Sequence, residues 1–224
     1  MADFDKYSAG YQRELDDCLK LTGRSSDYFA AYKVRYLKRF LQADYQGKIL
    51  DYGCGIGLLA AHLAKQFPLA SIGGYDLSGL SIAKINKELK ERGRFTDDIS
   101  KIDFDYNLIV LSNVLHHISL AERDETIGNL VHRLLPSGMI VIFEHNPFNP
   151  LTRKIVDRCV FDKDTNLLAP AETAGYLLNE GMRVSRRDYI SFFPGQFRWL
   201  RPFEPFLGWL PLGAQYVIAG KKDE

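Results

Sequence analysis

Short apolar runs alternate with segments of helical pattern along the chain from Lys48 onward. The runs read KILDYG, SIGGYD, YNLIVLS and GMIVIFEH, and their length and their Gly, Asp, Asn and Ser boundaries are typical of buried strands. The stretches LLAAHLAKQF, SGLSIAKINKELKERG and LAERDETIGNLVHRLL have helical spacing, and Ser119 with Glu122 predicts a capping box at the start of the last one. Such alternation favours right-handed crossovers and a parallel sheet covered on both faces. The sequence therefore predicts an α/β fold with a doubly wound, mostly parallel sheet.

The first 46 residues precede this pattern and are helical in character. Residues 25–46 place five large apolar or aromatic side chains three or four positions apart: Phe29, Tyr32, Tyr36, Leu37 and Phe40. A second helix is predicted from about Tyr11 to Leu21, before Gly23. We therefore expect an N-terminal helical cap or lid over residues 1–46 and a main domain over residues 47–224.

Charge and cysteine content argue against several classes of function. The chain has 224 residues, 46% hydrophobic side chains and a formal net charge of +1, which fits one compact domain. Because no basic stripe is present, nucleic acid is not an expected partner. The three cysteines, Cys18, Cys54 and Cys159, form no CxxC pair, so neither a disulfide framework nor a zinc site is predicted. The sequence shows no leader-like start and no apolar run of spanning length, so we expect a cytoplasmic protein.

Three glycines follow the first predicted strand within ILDYGCGIG, residues 49–57. In an open parallel sheet, ligands bind at the carboxyl ends of the strands, where Gly53, Gly55 and Gly57 would let the backbone approach a ligand closely. The turn also enters a helix, whose free N–H groups suit an anionic group. Asp76 ends the second predicted strand 19 residues after Gly57, and its carboxylate can accept both hydroxyls of a ribose. These features predict a site for a nucleotide-like ligand.

The glycine spacing distinguishes two ligands. A dinucleotide fingerprint has its third glycine five positions after the first, whereas here the third glycine comes one residue earlier. The segment DYGCGIG resembles the first motif of the class I S-adenosylmethionine (SAM) dependent methyltransferases, and the resemblance covers most of residues 48–145. It implies a Rossmann-like, seven-stranded sheet, SAM as cofactor and S-adenosylhomocysteine (SAH) as product.

The resemblance also implies individual cofactor contacts. GYDLS resembles the second motif, in which Asp76 holds the ribose, and FTDDI resembles the third, with Asp98 at the adenine amino group and Ile99 supplying a backbone N–H. Asp51 lies near the methionine end in this scheme, and Tyr11 is the expected lid residue, although a purely structural role for Tyr11 stays open. The full set of expected cofactor contacts is Asp51, Gly53, Cys54, Gly55, Gly57, Asp76, Leu77, Asp98, Ile99, Ser112, Asn113 and Tyr11.

Catalysis of methyl transfer rests mainly on positioning, and a hydroxyl acceptor would also use a general base. His117 and Glu144, with His116 as a further candidate, follow the fourth and fifth predicted strands, whose carboxyl ends face the cofactor. The alternative is that VLHHI and FEHNP are only structural turns. The spacing of these residues matches no recognised ligand pattern, so no metal site is predicted.

Two long connections are expected to form the acceptor side of the domain. Residues 146–170 are predicted to contribute one wall, with a short helix near LTRKIVDRCV. Residues 190–213 are rich in aromatic side chains and contain Arg198 and Arg201. This segment is interpreted as a pocket wall for an apolar or lipid-like acceptor, as a contact with a membrane surface, or as an aromatic hairpin packed on the sheet.

The sequence therefore predicts a SAM-dependent methyltransferase that acts on oxygen or carbon of a small or lipid-linked molecule. HNPFNP follows the fifth strand and not the fourth, which argues against amino-methylation of nucleobases. A nucleotide (NAD(P)) dependent oxidoreductase and a non-catalytic SAM-binding regulatory protein stay open as alternatives. The oligomeric state is not predicted.

Overall fold

The structure, a computed structural model, describes residues 11–162 and 165–223, except for the side chains of residues 11, 12 and 21. Its centre is a seven-stranded sheet in the order β3-β2-β1-β4-β5-β7-β6, in which β7 is antiparallel to both neighbours and all other pairs are parallel. The strands are β1 (Lys48–Tyr52), β2 (Ser71–Tyr75), β3 (Phe95–Thr96), β4 (Tyr106–Ser112), β5 (Leu134–His145), β6 (Arg183–Ile190) and β7 (Gln215–Lys221). The predicted α/β class and mostly parallel sheet are confirmed.

Helices cover both faces of this sheet. The α-helices are α1 (Tyr11–Leu19), α2 (Ser26–Leu37), α3 (Leu58–Gln66), α4 (Gly79–Ala83), α5 (Lys87–Lys90), α6 (Arg123–His132), α7 (Pro150–Val156) and α8 (Pro170–Asn179). Four 3₁₀ helices span Lys20–Thr22, Ile99–Lys101, Leu115–His117 and Gly195–Phe206. Within the described ranges, no helix combines the length and the apolar composition that crossing a membrane requires.

The core consists of two apolar layers, one on each face of the sheet. Because side chains alternate along a strand, Ile49 belongs to one layer and Leu50 to the other, and Val141 and Ile142 divide in the same way. Helix α2 contributes Val34 and fully buried Leu37 to the layer that contains Ile49. Helix α2 is therefore part of the packed core of the domain.

Two predicted helices differ from the observed ones. The stretch at residues 78–93 forms two short helices, because Asn86 leaves the helical conformation and caps α5 by accepting a hydrogen bond from the Glu88 N–H at 2.8 Å. The capping box is also wrong, since the Ser119 hydroxyl bonds the Glu122 carboxylate at 2.6 Å and the helix begins only at Arg123.

A buried carboxylate, Glu204, helps to attach the aromatic segment between β6 and β7 to the domain. Glu204 accepts hydrogen bonds from the Phe192 and Phe193 N–H groups at 3.1 and 3.2 Å and from the Tyr32 hydroxyl at 2.7 Å. Pro202 and Pro205 interrupt regular helix here, and the segment adopts 3₁₀ turns with a kink at Phe197. The predicted hairpin packed on the sheet is therefore not what forms.

Candidate active site

A cavity of about 480 Å³ opens at the carboxyl ends of the central parallel strands. Gly53 follows β1, Asp76 follows β2, Asn113 follows β4, and His145 ends β5, and all four line the cavity. This is the edge at which an open parallel sheet binds its ligand. Ten residues of the predicted site line the cavity: Asp51, Gly53, Cys54, Gly55, Asp76, Leu77, Ile99, Ser112, Asn113 and His117.

The backbone of the glycine turn adopts a conformation that is strained for any residue with a side chain. Gly53, Gly55 and Gly57 have φ angles of +78°, +51° and +81°, in the left-handed region that favours glycine. A Cβ atom on Gly53 would also lie 2.4 Å from Cγ2 of Val114. The Gly53 and Cys54 N–H groups donate to the Tyr75 carbonyl at 2.7 and 2.9 Å, which fixes the turn against β2. The backbone is thus held open to the cavity.

Asp76 connects the second strand to this turn. Its Oδ2 accepts a hydrogen bond from the Gly55 N–H at 2.7 Å, and its Oδ1 accepts one from the Ser78 N–H at 2.9 Å. Both bonds orient the carboxylate at the cavity edge. A carboxylate has about four lone-pair sites and can accept more than two hydrogen bonds. The position and orientation fit the predicted contact with a ribose.

Asp51 places a buried carboxylate beside the turn. Neither of its oxygens satisfies hydrogen-bond geometry with a donor among the described residues. Burial and then the charge of Asp76 raise the pKa of Asp51 to about 7, although the Ala60 N–H and the Lys33 ammonium act in the opposite direction. A buried carboxylate in this state is stabilised by a cation. The ammonium and sulfonium groups of SAM supply that charge, so the residues present fit this cofactor.

Lys33 belongs to α2 and lines the cavity. Its Nζ donates a hydrogen bond to Oγ of Ser112 at 2.7 Å, and the residue is only 3% exposed. Burial lowers the pKa of Lys33 to about 8, although Glu144 and Asp51 act in the opposite direction. The sequence contains an indication that Lys33 is buried, because it lies four residues after Phe29 and therefore on the same face of the helix.

The other end of the cavity contains three histidines around one carboxylate. Nε2 of His116 and Nε2 of His117 lie 3.3 and 3.4 Å from Oδ1 of Asp162, and Nε2 of His145 lies 3.8 Å from Oδ2. Behind them, Nδ1 of His116 contacts Oε2 of Glu144 at 2.6 Å. His117, His145 and Asp162 line the cavity.

Burial and mutual contact perturb the pKa of every member of this cluster. Burial would lower the pKa of His116, but the Glu144 and Asp162 carboxylates outweigh it and raise the pKa to about 9. Burial lowers the pKa of His117 and brings that of His145 to about 4. Although burial opposes them, the neighbouring histidines hold the pKa of Glu144 at about 2 and that of Asp162 far below its usual range.

Five residues of the predicted site are not placed on the cavity wall. Glu144 is 1% exposed, and its Oε1 accepts the Val114 and Leu115 N–H groups at 3.0 and 2.8 Å, so it supports the wall from behind together with buried His116. Asp98 accepts hydrogen bonds from the N–H and hydroxyl of Ser100, which caps a 3₁₀ helix. Gly57 begins α3 without lining the cavity, and the side chain of Tyr11 lies outside the described part of the chain.

The sheet order, the glycine turn, the strand-final Asp76 and the cavity define a class I SAM-dependent methyltransferase domain. Residues 50–140 match the protein family described as "Methyltransferase domain". Residues 50–140 are therefore similar to this family of methyltransferase domains.

Individual relatives agree with this class. The chain is 29% identical to ribosomal RNA small subunit methyltransferase C of Pasteurella multocida over 54% of its own length and 40% of that protein. It is 28% identical to trans-aconitate 2-methyltransferase of Deinococcus radiodurans over 42% of its own length and 36% of that protein. The chain thus spans about two fifths of the length of these relatives. The fold matches the crystal structure of a SAM dependent methyltransferase from Archaeoglobus fulgidus with a TM-score of 0.68 and 17% identity, over 89% of this chain and 96% of that one.

Proposed function

We propose that the chain binds SAM and transfers its methyl group to an oxygen or carbon atom of a small or lipid-linked acceptor. The observation that carries this proposal is one continuous cavity with two chemically distinct ends. One end has the glycine turn, Asp51 and Asp76, and the other has His117, His145 and Asp162. SAM, when bound, supplies a methyl group attached to a sulfonium. After the transfer, the sulfur compound leaves as a neutral thioether. The protein's task is to hold an acceptor atom in line with that methyl group.

The residues of the turn account for cofactor binding. Asp76 is oriented to accept the ribose hydroxyls, and Asp51 is positioned to receive the positive charge of the methionine end. Lys33 is held by Ser112, and its positive charge partly offsets the negative charge of Asp51. Both residues line the cavity, where Lys33 offers a positive charge to a negative or polar group of the acceptor.

The acceptor end contains the groups that can take up a proton. His117 faces the cavity and lies 3.4 Å from Asp162, which can orient its ring and stabilise its charged form. We assign His117 as the candidate general base, with Glu144 and His116 as supports of the turn that carries it. If this is its role, His117→Ala lowers turnover by ~100-fold at unchanged SAM affinity.

The nature of the acceptor is inferred from the walls around this end. Ile155, Phe161 and Leu15 make much of the cavity apolar, whereas a formal net charge of +1 gives no general attraction for nucleic acid. A small organic molecule or the head of a lipid-linked one suits this combination. One of the relatives carries an RNA methyltransferase name, so methylated RNA is the outcome that would contradict this assignment.

Labelled SAM tests the proposal directly. The purified chain is incubated with methyl-labelled SAM and a cell extract separated into low-mass, lipid, RNA and protein fractions. We expect label in the low-mass or lipid fraction, with loss of transfer in Asp76→Asn. Asp44→Asn, which changes an exposed carboxylate in the turn before β1, is the matched control and should transfer normally. Label in RNA, or no transfer to any fraction, contradicts the proposal.

We also propose that the exposed apolar side chains of the two acceptor-side segments, residues 146–170 and 190–213, contact a lipid surface. Trp199, Phe206 and Trp209 are 68%, 74% and 75% exposed, and Phe148 is 58% exposed. Asn146 and Asn149 tie the two segments together, because their side chains donate hydrogen bonds to carbonyls of residues 211–213. The exposed cations of α7 nearby would favour anionic headgroups.

Vesicle flotation tests this contact. We expect the chain to float with vesicles that contain phosphatidylglycerol and less with pure phosphatidylcholine. Replacing both Trp199 and Trp209 by Ser should weaken binding more than roughly tenfold. Leu69→Ser, at an exposed leucine between α3 and β2, is the control for lost apolar surface and should bind as the parent chain does. Flotation that is absent, or unaffected by the double replacement, contradicts the proposal.

A further inference from the structure

Three of the five histidines in the sequence converge on a single aspartate. His116 and His117 come from the 3₁₀ helix after β4, His145 comes from the end of β5, and Asp162 comes from the long segment that follows α7. Ligand atoms of His116, His117 and Asp162 all lie within 4.8 Å of one another. Residues from two separate segments thus bring two ring nitrogens and a carboxylate close together, and His145 lies beside them.

The separations within this cluster match those of metal ligands better than those of hydrogen bonds. Charge-assisted N–H···O bonds are about 2.7–2.9 Å long. Ligand atoms about 2.0–2.2 Å from a tetrahedral Zn²⁺ ion lie about 3.3–3.6 Å from one another. The contacts of Asp162 with His116 and His117 measure 3.3 and 3.4 Å, and the contact with His145 measures 3.8 Å. The contacts of His116 and His117 fall within the ligand spacing, whereas the contact of His145 is longer and is made with the other carboxylate oxygen.

The surroundings of His116 have the features of a metal ligand's support. Glu144 accepts the Nδ1–H of His116 at 2.6 Å, which directs Nε2 towards Asp162. Glu144 is itself fixed by the Val114 and Leu115 N–H groups. A carboxylate that holds the far nitrogen of a ligating histidine sets the tautomer and raises its basicity as a ligand. The sequence did not reveal this arrangement, because the spacing along the chain bears no relation to the spacing in the fold.

We propose that His116, His117 and Asp162 form a binding site for one divalent cation of the Zn²⁺ type, with His145 beside them. Two imidazoles and one carboxylate are donors that a borderline divalent ion prefers, and three protein ligands leave one position open. His117, His145 and Asp162 also line the cavity, so the ion would be exposed to the acceptor. The proposed binding site depends only on the positions of these ligand atoms.

A cation at this point specifies the acceptor class further, and this step rests on the proposed function. It selects an acceptor that offers a hydroxyl or carboxylate oxygen, and it lowers the pKa of a hydroxyl. The hydroxyl proton passes to solvent, the oxygen forms a bond to the methyl carbon, and the carbon–sulfur bond breaks with its electron pair on sulfur. His117 acts as a ligand in the chain that holds the ion, and the general-base role assigned to it above applies to the metal-free chain.

Metal titration of a tag-free chain tests the site. The protein is stripped with a chelator, dialysed and titrated with Zn²⁺ against a competing dye, and Co²⁺ is followed by its visible absorption. We expect one ion per chain and a rise in melting temperature of the parent chain with Zn²⁺. Asp162→Asn and His117→Ala should each weaken binding by ~100-fold or more, and Glu144→Gln by about 10–100-fold.

His62→Ala and His132→Ala are the matched controls, since these are the two histidines outside the cluster. They should bind as the parent chain does. The proposal is overturned if the parent chain shows neither Zn²⁺ binding nor a rise in melting temperature, if Asp162→Asn and His117→Ala bind normally, or if the two controls lose binding to the same extent. Because the parent chain alone supplies a decisive result, a variant that fails to fold does not remove the test.

An SAH titration in EDTA separates this proposal from the proposed function. SAH binding without Zn²⁺ binding overturns the metal site and leaves the methyltransferase proposal standing. Zn²⁺ binding without SAH binding does the reverse.

Discussion

Asp51→Asn separates the stability of the protein from its affinity for the cofactor. Asp51 is 1% exposed and its oxygens satisfy no hydrogen-bond geometry among the described residues, so burial makes its negative charge unfavourable, and the Lys33 ammonium and the Ala60 N–H offset only part of that cost. Asn has nearly the same shape and no charge. We therefore expect the variant to be more stable than the parent chain without cofactor, and to bind SAM or SAH more weakly.

The size and the pH range of the effect follow from the pKa of Asp51. Burial raises it from 3.8 in the unfolded chain to about 7 in the folded one. A raised carboxyl pKa gives stability that is present below the unfolded value and is lost as pH rises through the folded value. One pH unit corresponds to about 1.4 kcal/mol, so the interval corresponds to an upper limit of about 4 kcal/mol. The variant should equal the parent chain near pH 4 and exceed it above pH 7.

Thermal denaturation across this pH range measures the difference. At about 2–4 °C per kcal/mol for a chain of this size, we expect Asp51→Asn to melt above the parent chain at pH 8 by at most about 8–16 °C. Calorimetry with SAH should show affinity lowered by about 10-fold or more, since a charge-assisted contact contributes about 1.5–3 kcal/mol. Asp44→Asn is the control for removal of an exposed carboxylate. A melting difference that is absent, or independent of pH, refutes the reasoning.

Two further substitutions test the turn and the aromatic segment. In Gly53→Ala the new Cβ atom would lie 2.4 Å from Val114 at an unfavourable φ, so the variant should lose SAH binding and be destabilised by more than about 2 kcal/mol. Gly175→Ala is the control, because Gly175 lies on α8 with open space around it, and it should stabilise the protein by about 0.5–1 kcal/mol. Equal melting temperatures for the two variants would contradict the account. Tyr32→Phe removes the 2.7 Å bond to Glu204 and should cost about 1–2 kcal/mol and speed proteolysis of residues 191–206. Unchanged cleavage would show that other contacts hold this segment.

The sequence predicted the parts of the site that are encoded locally. Gly53, Gly55 and Gly57 follow a strand directly, and their positive φ angles are the conformation that only a residue without Cβ adopts easily. Asp76 ends the neighbouring strand in the same way. Because parallel strands share one edge, the order of elements alone brings these residues together.

The parts that were missed depend on contacts between distant segments. Asp162 lies in a connection without periodicity, and only the fold shows that it meets His145 and His116. Glu144 lies at the carboxyl end of the fifth strand, as the sequence predicted, but its carboxylate accepts a hydrogen bond from the Leu115 N–H and does not line the cavity. The resemblance of motifs implies that Asp98 contacts the adenine amino group, but in the structure its carboxylate accepts a hydrogen bond from the Ser100 N–H and caps a 3₁₀ helix. Alternation along a strand gives a residue's face, whereas hydrogen-bond partners decide what its side chain does.

Calorimetric titration of the folded chain with SAH tests the central claim most directly. The account predicts one site per chain, binding that is lost in Asp76→Asn and retained in Asp44→Asn, and no comparable binding of NADH. A chain that is folded by circular dichroism and binds no SAH, or that binds NADH more tightly, would contradict it.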